Sequence, residues 1–275
     1  MKQEKKMPHL SEMLGMGVRK NSESMLAVKP FRMNGVDHTY GDAISSSVFP
    51  DEHTHIEPCR FSKHSGAIQA LGGVITDGGG RIPRQLRFVI NMIKHPLHFL
   101  NLINPYHAAE RGICLLVMQD YDNSINIQRK RRLIWPFVKS LTSKQSEDKK
   151  IPTYIPIANN FARKLAKKVK GSAYSTINEI MLNAPTTAHI LSGCPMGETA
   201  DTRVIDLQNR VFGYENIYVI DGSMIPTNLG VNPSLAISAF AERANSFIPS
   251  KKGKDFRFLK VEKKWEVREL LVPGK

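Results

Sequence analysis

The feature that most constrains the fold is the loop at residues 230–234 and the helix predicted after it. Proline suits the first turn of a helix, and Asn232 just before it is a good N-cap. Residues 234–247 are mostly small or apolar, which predicts a buried helix. Free N–H groups at a buried helix start need partners. The pattern therefore indicates either an ordinary capped core helix or a helix start that faces an anion or a ring edge.

Two histidine-containing stretches leave two interpretations each. His189 lies among small and apolar residues, which suits either a core histidine or a catalytic one. His189 and Cys194 alone are too few ligands to predict a metal. His53, His55 and Glu57 would share one face of a strand, either as metal ligands or as an exposed polar surface. We predict no metal site from these patterns.

The charge balance narrows the possible partners. Lys and Arg number 39 against 25 Asp and Glu, which gives a formal net charge of +14. Such an excess is compatible with nucleic acid, an acidic membrane or an anionic ligand. The basic residues are spread along the chain, with maxima at 129–132, at 163–170 and from 251 onward. Basic and aromatic residues do not alternate on one predicted face, so we predict a basic surface and no nucleic-acid partner.

Cysteine usage and hydropathy bear on the compartment. None of the three cysteines forms a Cys-x-x-Cys pair, which argues against a disulfide framework and for a reducing compartment. The first residues are basic, without the apolar region of a secretory signal behind them. No stretch approaches the roughly 18 apolar residues of a membrane span. We therefore expect a cytoplasmic protein.

Hydrophobic periodicity predicts a mixture of strands and helices. The predicted elements are strands at 23–29, 44–49, 54–61 and 216–220, a hairpin at 113–128, and helices at 83–103, 157–169 and 234–247. Pro96 is expected to kink or split the first helix. A glycine-rich turn is predicted at 76–80 and a polar loop at 140–150. The apolar stripe of residues 86–103 is compatible with core packing, a substrate cavity or membrane contact.

Five ordered pieces of the last third of the chain carry a resemblance. They are His189 before Met196-Gly197, Val204-Ile205-Asp206, residues 213–223 (GYENIYVIDGS), residues 230–233 (GVNP) and Ala241-Glu242-Arg243. Together they resemble the carboxy-terminal signature of glucose–methanol–choline (GMC) oxidoreductases. Looser similarity, at 18–23, 55–58, 76–79, 116–119 and 122–124, is to the cholesterol-oxidase-like branch. The resemblance covers most of residues 7–248. It implies a carboxy-terminal portion, because the chain lacks the Gly-x-Gly-x-x-Gly fingerprint of the amino-terminal Rossmann part.

The resemblance also implies roles for individual residues. His189 matches the histidine that orients the alcohol or takes its proton, and Asn232 matches its partner beside the flavin. Glu57 resembles the carboxylate base of steroid-active members. The remaining matches are cofactor-contacting residues, namely Asp221 and Gly222 in a turn and Pro233 and Ser234 at the helix start that faces the flavin.

The fold class implied is α/β (α+β). Residues 1–45 and 184–250 would belong to an FAD-binding domain, residues 46–183 to an antiparallel-sheet substrate domain, and residues 251–275 to a basic tail. The complete enzyme would use FAD to oxidise a secondary alcohol, sterol- or lipid-like, and pass electrons to dioxygen or another acceptor. Transient membrane contact is compatible with this activity. The alternative is an inactive fragment or a subunit that requires a separate, complementing Rossmann-bearing chain.

Overall fold

The computed structural model describes residues 6–33, 35–132, 135–145, 151–184 and 187–249. The predicted basic tail at 251–275 lies outside these residues. The described strands are β1 (Arg19–Lys20), β2 (Ser24–Pro30), β3 (Thr54–Cys59), β4 (Gly72–Val74), β5 (Ile113–Gln119), β6 (Ile125–Arg132), β7 (Trp135–Gln145), β8 (Gly171–Thr176) and β9 (Ile190–Leu191). The described α-helices are α1 (Arg84–Lys94), α2 (Pro96–Ile103), α3 (Ala108–Arg111), α4 (Pro156–Lys168), α5 (Ile177–Leu182) and α6 (Ser234–Ser246). This mixture of helices and antiparallel sheets confirms the predicted fold class.

A five-stranded antiparallel sheet in the order β3-β5-β2-β8-β4 is the centre of the larger core. Side chains alternate across the strands, so one face of the sheet is apolar and packs on α4. The buried residues of this layer include Leu26, Val28, Leu115, Val117, Ala158, Ala162 and Ala166. Each fully buried Leu or Val contributes about 1.5–3 kcal/mol. The small alanines on α4 let the helix lie close to the sheet.

The predicted hairpin at 113–128 is wrong. Strand β5 pairs with β2 and β3, whereas β6 pairs with β7 in a separate two-stranded sheet. The turn between β5 and β6 carries the chain out of the first sheet because Asn123 anchors it elsewhere. Asn123 Nδ2 donates to the Lys20 carbonyl (2.8 Å) and to Ser22 Oγ (2.7 Å). Strand β7 also occupies the first half of the predicted polar loop at 140–150.

Several other predictions can be scored on local geometry. The helix predicted at 83–103 is split as expected, since α1 ends at Lys94 and α2 begins at Pro96. The predicted strands at 44–49 and 216–220 are reduced to isolated β-bridges. The apolar stripe of residues 86–103 is not core: its exposed members are Leu86, Val89, Ile93, Leu97, Leu100 and Ile103. None of the described helices combines the length and the apolar character that crossing a bilayer requires.

A second apolar cluster joins the amino-terminal segment to the last third of the chain. Its buried residues are Leu10, Leu191, Val204, Ile205, Val211, Met224 and Ile225, and β1 pairs with β9 beside it. Strand β2 nevertheless lies in the middle of the five-stranded sheet. The first segment therefore contributes to both clusters, and the domain boundary at residue 45 stays a prediction.

Helix α6 differs from its predicted environment. We predicted a buried helix, yet within the described residues Ala244 alone is buried on α6, and Leu235 is 83% exposed. The partly buried Ile237 packs against the second cluster. The apolar composition of α6 is thus not satisfied by packing within the described part of this chain.

Candidate active site

His189 is held by a buried carboxylate that sequence reasoning did not assign. Glu23, 3% exposed, immediately precedes β2, and its Oε1 bonds Nδ1 of His189. Its Oε2 accepts the backbone N–H of Ala188. Burial raises the pKa of Glu23, but the hydrogen bonds and charge of His189 and the Ala188 N–H outweigh it, so the pKa lies below its ordinary value. Glu23 is therefore an anion that accepts a hydrogen bond from Nδ1 of His189.

This bond defines the chemistry of the imidazole. In a neutral ring one nitrogen carries the proton and the other is an acceptor. Because the Glu23 carboxylate accepts at Nδ1, the proton lies there and Nε2 of His189 has a free lone pair. His189 can then accept a proton from a substrate hydroxyl at Nε2.

Asn232 is bound to the second buried carboxylate, Glu57. Its Nδ2 lies 3.0 Å from Oε1 and 2.8 Å from Oε2 of Glu57, which is 5% exposed in β3. The predicted N-cap role of Asn232 is wrong, since α6 has no side-chain cap. The cap position is occupied by Pro233, one residue further on, and the amide nitrogen of Asn232 donates to Glu57. His55 Nε2 lies 3.4 Å from Glu57 Oε1 on the same strand.

The sheet register places the two carboxylates on one face. Glu57 in β3 and Met25 in β2 both face Leu116 of β5. Alternation puts Glu23, two residues from Met25, on the same side. They are separated by two strand spacings across the sheet, about 10 Å, and by two residues along the strand direction, about 7 Å. The pKa of Cys59 is raised by burial and further by Glu57 and Glu23, so both carboxylates act on this side of the sheet. The structure thus joins His189 to Glu23 and Asn232 to Glu57, and not His189 to Asn232 directly.

The loop before α6 is pinned to the end of the sheet. Asn228 Nδ2 donates to the carbonyls of Gln119 and Tyr121, at 2.8 Å each. Asn21 Nδ2 donates to the Val231 carbonyl at 2.8 Å. Gly230 has φ of +67°, and a Cβ there would lie 2.7 Å from the Cβ of Asp120. These contacts explain the glycine and fix the position from which Asn232 reaches Glu57.

The predicted cofactor residues lie in a turn and at the adjoining helix start. Asp221 Oδ1 accepts the N–H of Ser223 at 2.9 Å and caps its own turn. A Cβ at Gly222 would lie 3.2 Å from Cδ1 of Ile237 and 3.3 Å from the Ile190 carbonyl. Gly222 therefore allows the turn, α6 and β9 to approach one another.

An apolar cavity lies on the same face of the sheet as the carboxylates. Its volume is about 270 Å³, and its floor includes Met25, Ala27, Cys114 and Tyr174. Its walls include Phe61, Ile68, Leu71 and Leu102. Cys59, two residues beyond Glu57, is the register partner of Cys114 on this floor. Glu23 and Glu57 share this sheet face but are not among the residues that line the cavity.

A buried basic residue, Lys20, lies near Glu23. Lys20 is buried, which lowers the pKa of its amine to about 8 against the opposing charges of Glu23 and Glu179. Glu179 Oε2 accepts the Ser24 hydroxyl at 3.0 Å. The sequence signal for Glu23 was segment 18–23, which precedes a predicted strand. This segment contributed to the looser family resemblance, but no role was assigned to its glutamate. The pairing with His189 spans 166 residues and has no local signature.

The arrangement of His53, His55 and Glu57 does not support the alternative interpretation as metal ligands. His53 Nδ1 lies 3.0 Å from Asp120 Oδ1, and the ring of His55 stacks on Phe49 with centroids 4.5 Å apart. Among the residues that the structure describes, no three His, Cys, Asp or Glu side chains converge on a metal-sized site. The three cysteines are free thiols.

Comparisons with known proteins agree with these motifs. Residues 120–241 match the family model of GMC oxidoreductase. The chain is 45% identical over 251 residues to a cholesterol oxidase of Acinetobacter baumannii, covering 91% of this chain and 44% of that protein. It is 41% identical over 257 residues to a cholesterol oxidase of Mycobacterium tuberculosis, covering 92% and 44%. A crystal structure of pyridoxine 4-oxidase from Mesorbium loti aligns with a TM-score of 0.45 and 14% identity, over 86% of this chain and 44% of that one.

The chain spans less than half the length of the curated relatives it matches. Over nearly all of its own length, however, it follows the cholesterol oxidases. Residues 120–241 therefore carry the GMC oxidoreductase domain, and about nine tenths of the chain is similar to part of the cholesterol oxidases.

Proposed function

We propose that this chain supplies the alcohol-binding and proton-accepting part of an FAD-dependent oxidoreductase that acts on the CH–OH group of a secondary alcohol. The observation that carries the proposal is the pair of buried carboxylates, Glu23 and Glu57. Each holds one family-matched side chain, His189 or Asn232, on the sheet face that floors an apolar cavity.

Oxidation of an alcohol to a ketone removes the hydroxyl proton and a hydride from the carbinol carbon. Nε2 of His189 accepts the proton, because Glu23 keeps Nδ1 protonated and stabilises the imidazolium that forms. Glu57 is a second carboxylate on the same face of the sheet, held in place by the Asn232 amide. Bound FAD would accept the hydride.

The residues around α6 fit a flavin. The helix begins without a side-chain cap, so its first N–H groups and positive dipole end are available to an electron-rich ring edge. Ser234 at this start is exposed, and the Asp221–Gly222 turn packs beside Ile237 of the same helix. Asp221, Gly222, Asn232, Pro233 and Ser234 are the residues that would hold the cofactor.

The cavity supports a lipid-like substrate, and a sterol is the specific proposal. Its lining is almost wholly apolar, and the similar proteins are named cholesterol oxidases. Dioxygen would be the electron acceptor.

The exposed apolar stripe of α1 and α2 supports transient contact with a lipid surface. The free thiols support our proposal that the protein is cytoplasmic.

The test is the visible absorbance of the purified chain with and without added FAD. If the chain rebuilds the cofactor site, a bound-flavin band remains after gel filtration. Under anaerobic conditions, a sterol with a secondary hydroxyl group should then bleach this band. The methyl ether of the same sterol, which has no hydroxyl proton, should not. Bound flavin that no secondary alcohol bleaches would refute the proposed reaction.

A second candidate is a subunit that needs a separate Rossmann-bearing chain. Helix α6 favours it, because an apolar helix with Leu235 83% exposed lacks a packing partner within the described residues. The chain alone would then bind no flavin. Mixing it with a separately produced fingerprint-bearing half of a cholesterol oxidase should restore both the flavin band and its bleaching. If neither the chain alone nor the mixture binds flavin, the chain is an inactive fragment.

A further inference from the structure

A second cavity of about 640 Å³ lies at the edge of the five-stranded sheet, away from the alcohol cavity. Strand β4 stops at Val74, while β8 continues past it through residues 171–173. Helices α1 and α2 border the gap on one side, and α4 borders it on the other. The cavity is lined by Val74, Ile75, Asp77, Arg87, Asn91, His95, His98, Arg163, Ala166, Lys167, Gly171, Ser172 and Ala173.

The charge of this lining is predominantly positive. Its single carboxylate, Asp77, is already matched by Arg163 at 2.8 Å and by Asn159 at 2.7 Å. Arg87 donates to backbone carbonyls, at 3.0 Å to Asp77 and 2.6 Å to Gly79. Carbonyl oxygens satisfy its N–H groups, and its charge is shared with Arg163 against the one carboxylate of Asp77. Arg87 therefore contributes a fixed positive field at one wall of the cavity.

Two histidines and a lysine line the cavity from different helical segments. The rings of His95 and His98 stack with centroids 5.1 Å apart and planes 19° apart. Burial lowers the pKa of His98, and His95 lowers it further, as expected for two imidazoles that compete for one counter-charge. Lys167 lies across the gap on α4 and is exposed. An anion between these groups would be approached from both walls.

We propose that this cavity binds a phosphate group through His95, His98 and Lys167. Tetrahedral phosphate presents several acceptor oxygens, so it can bridge an imidazole pair and an ammonium on opposite walls. The apolar floor of Val74, Ile75, Ala166 and Ala173 excludes competing solvent from one side. The same chemistry is offered by free phosphate and by a phospholipid headgroup.

The test uses the whole chain without flavin, so its outcome is independent of the oxidoreductase proposal. Inorganic phosphate is titrated by calorimetry at constant ionic strength, with chloride as the balancing salt. We expect one site, weakened about tenfold or more by Lys167→Ala and by His95→Gln with His98→Gln. Lys168→Ala, the neighbouring exposed lysine outside the cavity, should leave the affinity unchanged.

The charged and titratable groups that face the cavity are Asp77, Arg87, His95, His98, Arg163 and Lys167. Vesicles of phosphatidylglycerol, compared with phosphatidylcholine alone, separate the two sources. Binding to phosphatidylglycerol vesicles that is lost in Lys167→Ala would identify the ligand as a lipid headgroup. If the chain binds phosphate but not these vesicles, the ligand is free phosphate. No saturable heat with phosphate, or equal losses in Lys167→Ala and Lys168→Ala, would overturn the proposal.

Discussion

Glu23→Gln is the change that most directly tests the proton-accepting site. Glutamine keeps the size of the side chain but offers one oxygen and one NH₂ group. The oxygen is expected to keep the Ala188 N–H, which Glu23 Oε2 accepts now. The NH₂ group then faces Nδ1 of His189, which can bond it only as an acceptor. The ring proton moves to Nε2, the nitrogen that must accept the alcohol proton.

The expected effect on catalysis is large. Loss of a positioned general base lowers kcat by about 10²–10⁴-fold. The apolar cavity is unchanged, so KM should move little. The variant should also unfold more easily at neutral pH, by about 1.5–3 kcal/mol, because a buried charge-assisted hydrogen bond is lost.

The pH dependence of stability carries the same signature. The pKa of Glu23 is lower in the folded chain than its ordinary value. Its contribution to folding is therefore present above the ordinary carboxyl pKa and is lost as pH falls through the folded value. Unfolding of Glu23→Gln should lack this acid-dependent component. Chemical denaturation of the two proteins between neutral and acid pH measures the difference.

The tautomer is measured directly by ¹⁵N NMR of the histidine rings, on the chain without flavin. The unsubstituted chain should show the His189 proton on Nδ1, and Glu23→Gln should show it on Nε2. Glu215→Gln, an exposed glutamate, is the matched control and should change neither tautomer nor stability. An Nδ1 proton that persists in Glu23→Gln would refute the proposed role of Glu23.

Three further changes test the scaffold around the site, each by denaturant unfolding. Asn232→Ala leaves the buried Glu57 carboxylate without two hydrogen bonds and should destabilise the chain by about 1.5–3 kcal/mol; an unchanged midpoint would contradict the pairing. Ala162→Leu overfills the fully buried contact between α4 and the sheet and should cost about 1–3 kcal/mol, whereas stabilisation would show unfilled space there. Gly230→Ala forces a side chain into a left-handed backbone beside Asp120 and should cost at least about 1 kcal/mol, and a neutral result would mean that the loop readjusts freely.

The elements predicted correctly are those with local causes. Pro96 splits a helix by removing an N–H, and the periodicity of 157–169 finds α4 within a residue or so. The hairpin at 113–128 failed because strand pairing is decided by distant partners. Two apolar runs joined by a turn look alike whether they pair with each other or, as here, with other strands.

The site residues follow the same division. His189 and Asn232 were identified by motif, but their partners could not be. Glu23 lies 166 residues from His189, and Glu57 lies 175 residues from Asn232. Asn232 also shows how a local rule is overridden. The helix starts one residue later than the local rule predicts, with Pro233 at the cap position, and the Asn232 amide nitrogen donates to a carboxylate that is distant in sequence.

The burial of the two carboxylates determines how the site must be assembled. A buried polar or charged group without partners costs several kcal/mol, so Glu23 and Glu57 need bonds that form within the folded chain. Both are satisfied here, by His189, Ala188 and Asn232. The polar pairs that we propose for proton acceptance are therefore preorganised by this chain. The cofactor side is different, because α6 presents an uncapped start and an exposed apolar face. A partner surface that covers α6 would gain binding energy from its apolar residues without disturbing the polar pairs, so cofactor binding and proton acceptance can be supplied by separate parts of the protein.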